Sequence, residues 1–164
     1  MSVIPRIFIV NTSPLIHLAE SGHLDLLRDA ADAVWVPEPV AGEIRAYGEN
    51  DPTARALVSS PWLIVKPVTT ISPEILAWNL GAGEASVLAL AQAFPDVTAV
   101  IDDLAGRRGA EALGLPLKGT VGLVLSAKLS GQIPNARALL EELKDRGMFL
   151  SDSVLTRALR LVGE

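Results

Sequence analysis

Cysteine is absent from this chain of 164 residues. That excludes disulfides and thiolate metal sites, and it fits a reducing, cytoplasmic setting. Aromatic residues are scarce, with one Tyr, three Phe and three Trp, which argues against base-stacking platforms for nucleic acid. Positive charge is in deficit: 14 Lys and Arg face 19 Asp and Glu, a formal net charge of −5. A broad basic surface for nonspecific nucleic-acid binding is therefore not expected, although a small basic rim beside an acidic site remains compatible with the balance. No apolar run approaches the roughly 20 residues that cross a bilayer. The run Ile7-Phe8-Ile9-Val10 is too short for a signal peptide and enters a polar turn at once, so it reads as a strand.

The chain does have apolar residues in quantity, 49% of the whole, enough for one domain over residues 1–164 with a sizeable core. Strands are expected at 7–10, 33–36, 63–65, 97–101 and 115–118, the fourth being a continuous apolar run of the kind buried in a parallel sheet. Helical patterns fill the intervals. Ser13 with Pro14 reads as a cap and first helical residue, and Ser72-Pro73-Glu74 repeats the signal for a helix reaching Leu80. Asp51 reads as the cap of a helix through Val58, and 24–27 as a short helix. Further helices are expected at 39–47, 83–93, 104–113 and 120–129, and two more, at 135–146 and 151–162, close the chain, residues 137–164 forming a helical extension. The alternation predicts an α/β domain with a mostly parallel central sheet flanked by helices.

Oxygen-bearing side chains recur just after apolar runs: Asn11, Glu43, Glu84 and the pair Asp102-Asp103. In open α/β sheets ligands bind outside the carboxyl ends of strands; Asn11, Asp102-Asp103 and Thr120 fall there, and Glu84 lies in the first turn of the helix before the fourth strand. Carboxylates gathered in one crevice repel one another, so the pattern points to a divalent cation, Mg²⁺ or Mn²⁺. Metal-assisted phosphodiester hydrolysis is the chemistry such a site supports. Each residue also has a plain structural use. Glu84 can favour a helix dipole, Asp102 or Asp103 can cap the next helix, Glu43 can be a solvated helix residue, and Asn11 can close a turn. Ser13, Arg107, Arg108, Lys118 and Lys128 are candidates for a phosphate-guiding rim or for simple surface polarity. His17 and His23 have no partner at metal spacing and read as structural. Gly81-Ala82-Gly83 lacks the dinucleotide-binding context.

Three blocks, Asn11-Thr12-Ser13-Pro14-Leu15-Ile16, Gly81-Ala82-Gly83-Glu84-Ala85 through Asp102-Asp103, and Gly114 to Gly122, make the chain resemble the PIN-domain superfamily, which includes the VapC toxins. The third block, with Gly131-Gln132-Ile133-Pro134, resembles a branch other than the typical VapC. The resemblance implies a Rossmann-like PIN fold, single-stranded RNA as substrate, an Mg²⁺ or Mn²⁺ site, an antitoxin protein as partner and pairing into a homodimer. By position it places Asn11 at the first acid, Glu43 at the second, Glu84 at the third and Asp102 or Asp103 at the fourth, the local pattern favouring Asp103. Thr120 matches a position bordering the site. Asn11 departs from the family's usual Asp. A second reading follows from that departure: a PIN-like module with weakened catalysis that acts through protein partners. A phosphatase with an Asp nucleophile after the first strand is excluded, since Asn11 cannot serve.

Overall fold

The computed structural model describes residues 3–164. Five strands form one parallel sheet: β1 (Ile7–Val10), β2 (Ala33–Pro37), β3 (Leu63–Lys66), β4 (Val97–Val100) and β5 (Leu117–Lys118), in the order β3-β2-β1-β4-β5. Chain order reverses beside β1, so the gap between β1 and β4 is the topological switch point. Ile7 to Val10 pair with Val97 to Val100 in register, and the Asn11 N–H still reaches the Val100 carbonyl at 3.0 Å. The residues that follow these two strands therefore emerge side by side.

Among the described residues ten helices flank the sheet: α1 (Thr12–Glu20), α2 (Asp25–Ala30), α3 (Glu38–Arg45), α4 (Pro52–Ser59), α5 (Pro73–Ala77), α6 (Ala82–Ala93), α7 (Leu104–Ala112), α8 (Thr120–Leu129), α9 (Ala136–Asp145) and α10 (Asp152–Leu161). Helix α6 packs across β2, β1 and β4 and also meets α3, α5 and α7, so Ala85 to Ala91 are buried without a break. That explains its all-round apolar sequence. The last two helices join the same core through Leu140, Leu143, Leu155 and Leu159.

Several boundaries differ from the expected ones. Helix α1 begins at Thr12, one residue after β1, so Asn11 rather than Ser13 stands at the cap position and Pro14 lies inside the first turn. Helix α5 stops at Ala77 instead of reaching Leu80, because Asn79 takes a left-handed φ of 53° that no continuing helix accepts. The expected strand at 115–118 pairs only at Leu117 and Lys118. Trp35, Trp62 and Trp78 are partly buried against the core.

Candidate active site at the switch point

Asn11 is the pivot. Strand β1 delivers it to the sheet edge in an extended conformation, where its side chain does not cap α1 although it stands at the cap position. The residue is 2% exposed. Its amide nitrogen faces Glu84 Oε1 at 3.4 Å, and its Oδ1 is buried without a hydrogen-bond partner. The simple turn-closing use of Asn11 is thereby ruled out. An unpartnered buried carbonyl oxygen costs about 1–3 kcal/mol, which favours a site whose remaining donor comes from a ligand.

Glycine shapes the space in front of that oxygen. A Cβ on Gly83, in the first turn of α6, would sit 2.9 Å from Asn11 Oδ1 and 3.5 Å from Glu43 Oε2. On the other side of Glu84, a Cβ on Gly106 would come within 3.2 Å of the Glu84 Cγ. Glu43 projects from α3 and is held on both sides: Thr12 Oγ1 donates to its Oε2 at 3.0 Å, and the Tyr47 hydroxyl lies 3.5 Å from its Oε1. Burial, followed by the nearby Glu43 charge, raises the Tyr47 pKa above its ordinary value. Glu43, Glu84, Thr12 and Ser13 line one cavity of about 490 Å³.

The two aspartates after β4 part company. Asp103 caps α7, accepting from the Gly106 N–H at 3.0 Å through Oδ2. Asp102 accepts from Thr120 twice, at 2.7 Å from its N–H and at 2.6 Å from its hydroxyl, and Thr120 is fully buried. Both aspartates line a second, larger cleft that shares Ser13 with the first cavity. Arg107 also reaches it, its guanidinium donating to the Ile101 carbonyl at 2.9 Å. So does Lys118, which donates to Ser126 Oγ at 2.9 Å and whose pKa burial lowers, with Arg6 adding to the effect. Arg108 is exposed and lines neither cavity. Lys128 binds the Pro134 carbonyl and Glu164, away from the acids.

A family model described as a PIN domain matches residues 7–164. The chain belongs to the PIN-domain family. No curated protein matches it. The fold is thus that of a PIN domain, a nuclease-type fold.

PIN domains usually use divalent metals, and the residues here fit one in a reduced form. Among the described residues no three Asp, Glu or His side chains gather closely enough to hold an ion by themselves. Mg²⁺, however, needs only one or two carboxylates, taking water and substrate phosphate for the rest. Asn11 Oδ1 and Glu84 are a donor pair of that kind, and the orphaned, buried Oδ1 is the atom a cation would satisfy.

Sequence reasoning missed two kinds of residue in this PIN domain. Thr12, not among the candidate site residues of the sequence, holds Glu43 through its hydroxyl. His17, read as structural, lines the larger cleft one helical turn beyond Ser13. The four-residue spacing of Ser13 and His17 was the available signal.

Proposed function

We propose that this PIN domain is a Mg²⁺- or Mn²⁺-dependent ribonuclease that hydrolyses phosphodiester bonds in single-stranded RNA. The orphaned Asn11 Oδ1 beside Glu84 at the switch point is the observation that carries the reading. Asn11 and Glu84, with Asp103, would hold the cation, which would supply Lewis-acid chemistry for the scissile phosphate and the attacking water. Glu43 accepts a proton from that water, a role supported by the Thr12 and Tyr47 hydroxyls that hold its carboxylate. Attack at phosphorus breaks the bond to the leaving oxygen, which recovers a proton from solvent. Thr120 keeps Asp102 fixed at the cleft floor, and Arg107 and Lys118 present positive charge to the strand. Within this reading the protein is the toxin of a toxin–antitoxin pair, restrained by an antitoxin protein, in the cytoplasm.

A second reading, a partner-binding PIN module with weakened catalysis, draws on Asn11 and on the lack of a three-acid cluster among the described residues. Calorimetric titration of Mn²⁺, run beside cleavage of single-stranded RNA, separates the two. The nuclease reading expects Mn²⁺ binding and Mn²⁺-dependent cleavage, both lost in Glu84→Gln. Wild type that neither binds Mn²⁺ nor cleaves would leave the binding module standing.

A further inference from the structure

The larger cleft, about 1070 Å³ in volume, runs from the aspartates after β4 to the surface between the start of α8 and the segment 148–161. It lies at the upper end of the roughly 300–1000 Å³ spanned by small-molecule pockets. Four of the chain's 14 Lys and Arg residues line it: Arg107, Lys118, Arg157 and Arg160. Among the described residues its only acids are Asp102 and Asp103. Arg157 and Arg160 form no salt bridge among the described residues. Phe149, at the mouth, is 94% exposed, the most exposed large apolar side chain described. On α10, Val154, Arg157 and Leu161 stand one turn apart on the face turned to the cleft, while Leu155 and Leu159 pack into the core.

Unpaired cations beside apolar surface, in a protein of net charge −5, call for a ligand that is anionic and flat-faced at once. A second copy of this chain would bring the same net charge, and an apolar partner helix would leave the arginines without counter-charge. A single strand of nucleic acid meets both needs, since its phosphates take the arginines and its unstacked bases take the ring. Duplex bases are stacked and shielded, so an exposed ring at the mouth would have nothing to receive.

We propose that this cleft is the track of the RNA strand on one side of the acidic site, with Phe149 stacking a base and Arg157 and Arg160 contacting phosphates. The direction of the strand toward Asp103 rests on the nuclease reading; the binding itself rests on the cleft's own chemistry. Low aromatic content argued against a stacking platform, yet a single well-placed ring suffices for one base.

Fluorescence anisotropy with a labelled single-stranded oligouridylate, in EDTA and over a salt series, tests the assignment without any cleavage. Phe149→Ala should weaken binding at least about 5-fold, the lower end for loss of one base stack, and Phe149→Trp should keep it. Neutralising two phosphate contacts with Arg157→Gln and Arg160→Gln should reduce the slope of log K against log salt by about 1.4, at roughly 0.7 per charge on a single strand. Arg137→Gln, on α9 and outside the cleft, should bind RNA as wild type does. Unchanged affinity and salt slope in the cleft variants, or a wild type that binds no RNA, would overturn the track. So would variants that keep RNA binding but lose self-association in light scattering, which would make the cleft a docking face for protein. Cleft-dependent binding by a wild type that never cleaves with Mn²⁺ would uphold the track and remove only the nuclease reading.

Discussion

Asn11 sets how much negative charge the site carries, because it is buried and its neighbour is a carboxylate. Asn11→Asp adds a full charge at nearly constant shape. Without metal the new carboxylate would be buried beside Glu84, at a cost on the order of 2 kcal/mol for an uncompensated buried group. Thermal melts in EDTA should therefore show the variant less stable than wild type. With Mn²⁺ the order should reverse, since a cation bound more tightly by the folded form raises its stability by mass action, and cleavage at low Mn²⁺ should rise. A variant as stable as wild type in EDTA and blind to Mn²⁺ would mean that position 11 does not face a cation. Asp103 needs a pair of substitutions, because one oxygen caps α7 while the other remains for a ligand. Asp103→Asn keeps the cap oxygen and removes the charge, so it should abolish Mn²⁺-dependent cleavage with little change in melting temperature. Asp103→Ala loses the cap as well and should cost about 1 kcal/mol more. Equal stability of the two variants would show that the cap contributes nothing; full activity in Asp103→Asn would remove Asp103 from the donor set.

At the scale of elements, what was legible in the sequence is what local chemistry decides. Asp51 and Ser72 read as caps from their place before Pro52 and Pro73, and both do cap, Asp51 accepting from the Thr53 and Ala54 N–H groups and Ser72 from that of Ile75. The β4 run and the switch-point positions of Asn11 and Glu84 follow from apolar pattern and element order. Ser13 misled because its Ser-Pro signal is sound locally, while the pairing of Asn11 with Val100 starts the helix two residues before Pro14. Asp102 could not be told from Asp103 because its partner, Thr120, lies 18 residues on and arrives only through β5. Another closure of this long-range kind joins α10 to α9. Glu164 accepts from the Ala136 N–H at 2.7 Å and the Arg137 N–H at 3.1 Å, and Lys128 lies 3.7 Å away. The Ala136 hydrogen bond is the main cause that holds the Glu164 pKa below its ordinary 4.5. A depressed carboxylate pKa gives stability that is present above the unfolded value and is lost as pH falls through the folded one. Glu164→Gln should accordingly lower the melting temperature at neutral pH, and the gap from wild type should close as pH drops below the ordinary 4.5 and through the lowered folded value. A gap that persists at low pH would assign the effect to neutral hydrogen bonding instead.

The whole molecule exposes 8611 Å², against roughly 7800 Å² for a compact monomer of this size. The short helix expected at 24–27 adds little exposed apolar surface: Leu26 and Leu27 are buried where α2 packs on β2 and α8. The C-terminal half does keep such surface, with Leu129 72% and Leu161 75% exposed. Leu129 stands outside the cleft, at the end of α8, where a strand track cannot cover it. Lone exposed leucines are common on monomers, so the case for pairing depends on these side chains meeting a second copy. We propose a homodimer that buries the end of α8. Light scattering at micromolar concentration should give twice the chain mass, and Leu129→Lys should return the monomer by placing like charges across the two-fold axis. RNA affinity per chain should survive that change, because Arg157, Arg160 and Phe149 are untouched. A monomer mass for wild type would remove the dimer and leave Leu129 as ordinary surface, with the cleft and the acidic site standing within one chain.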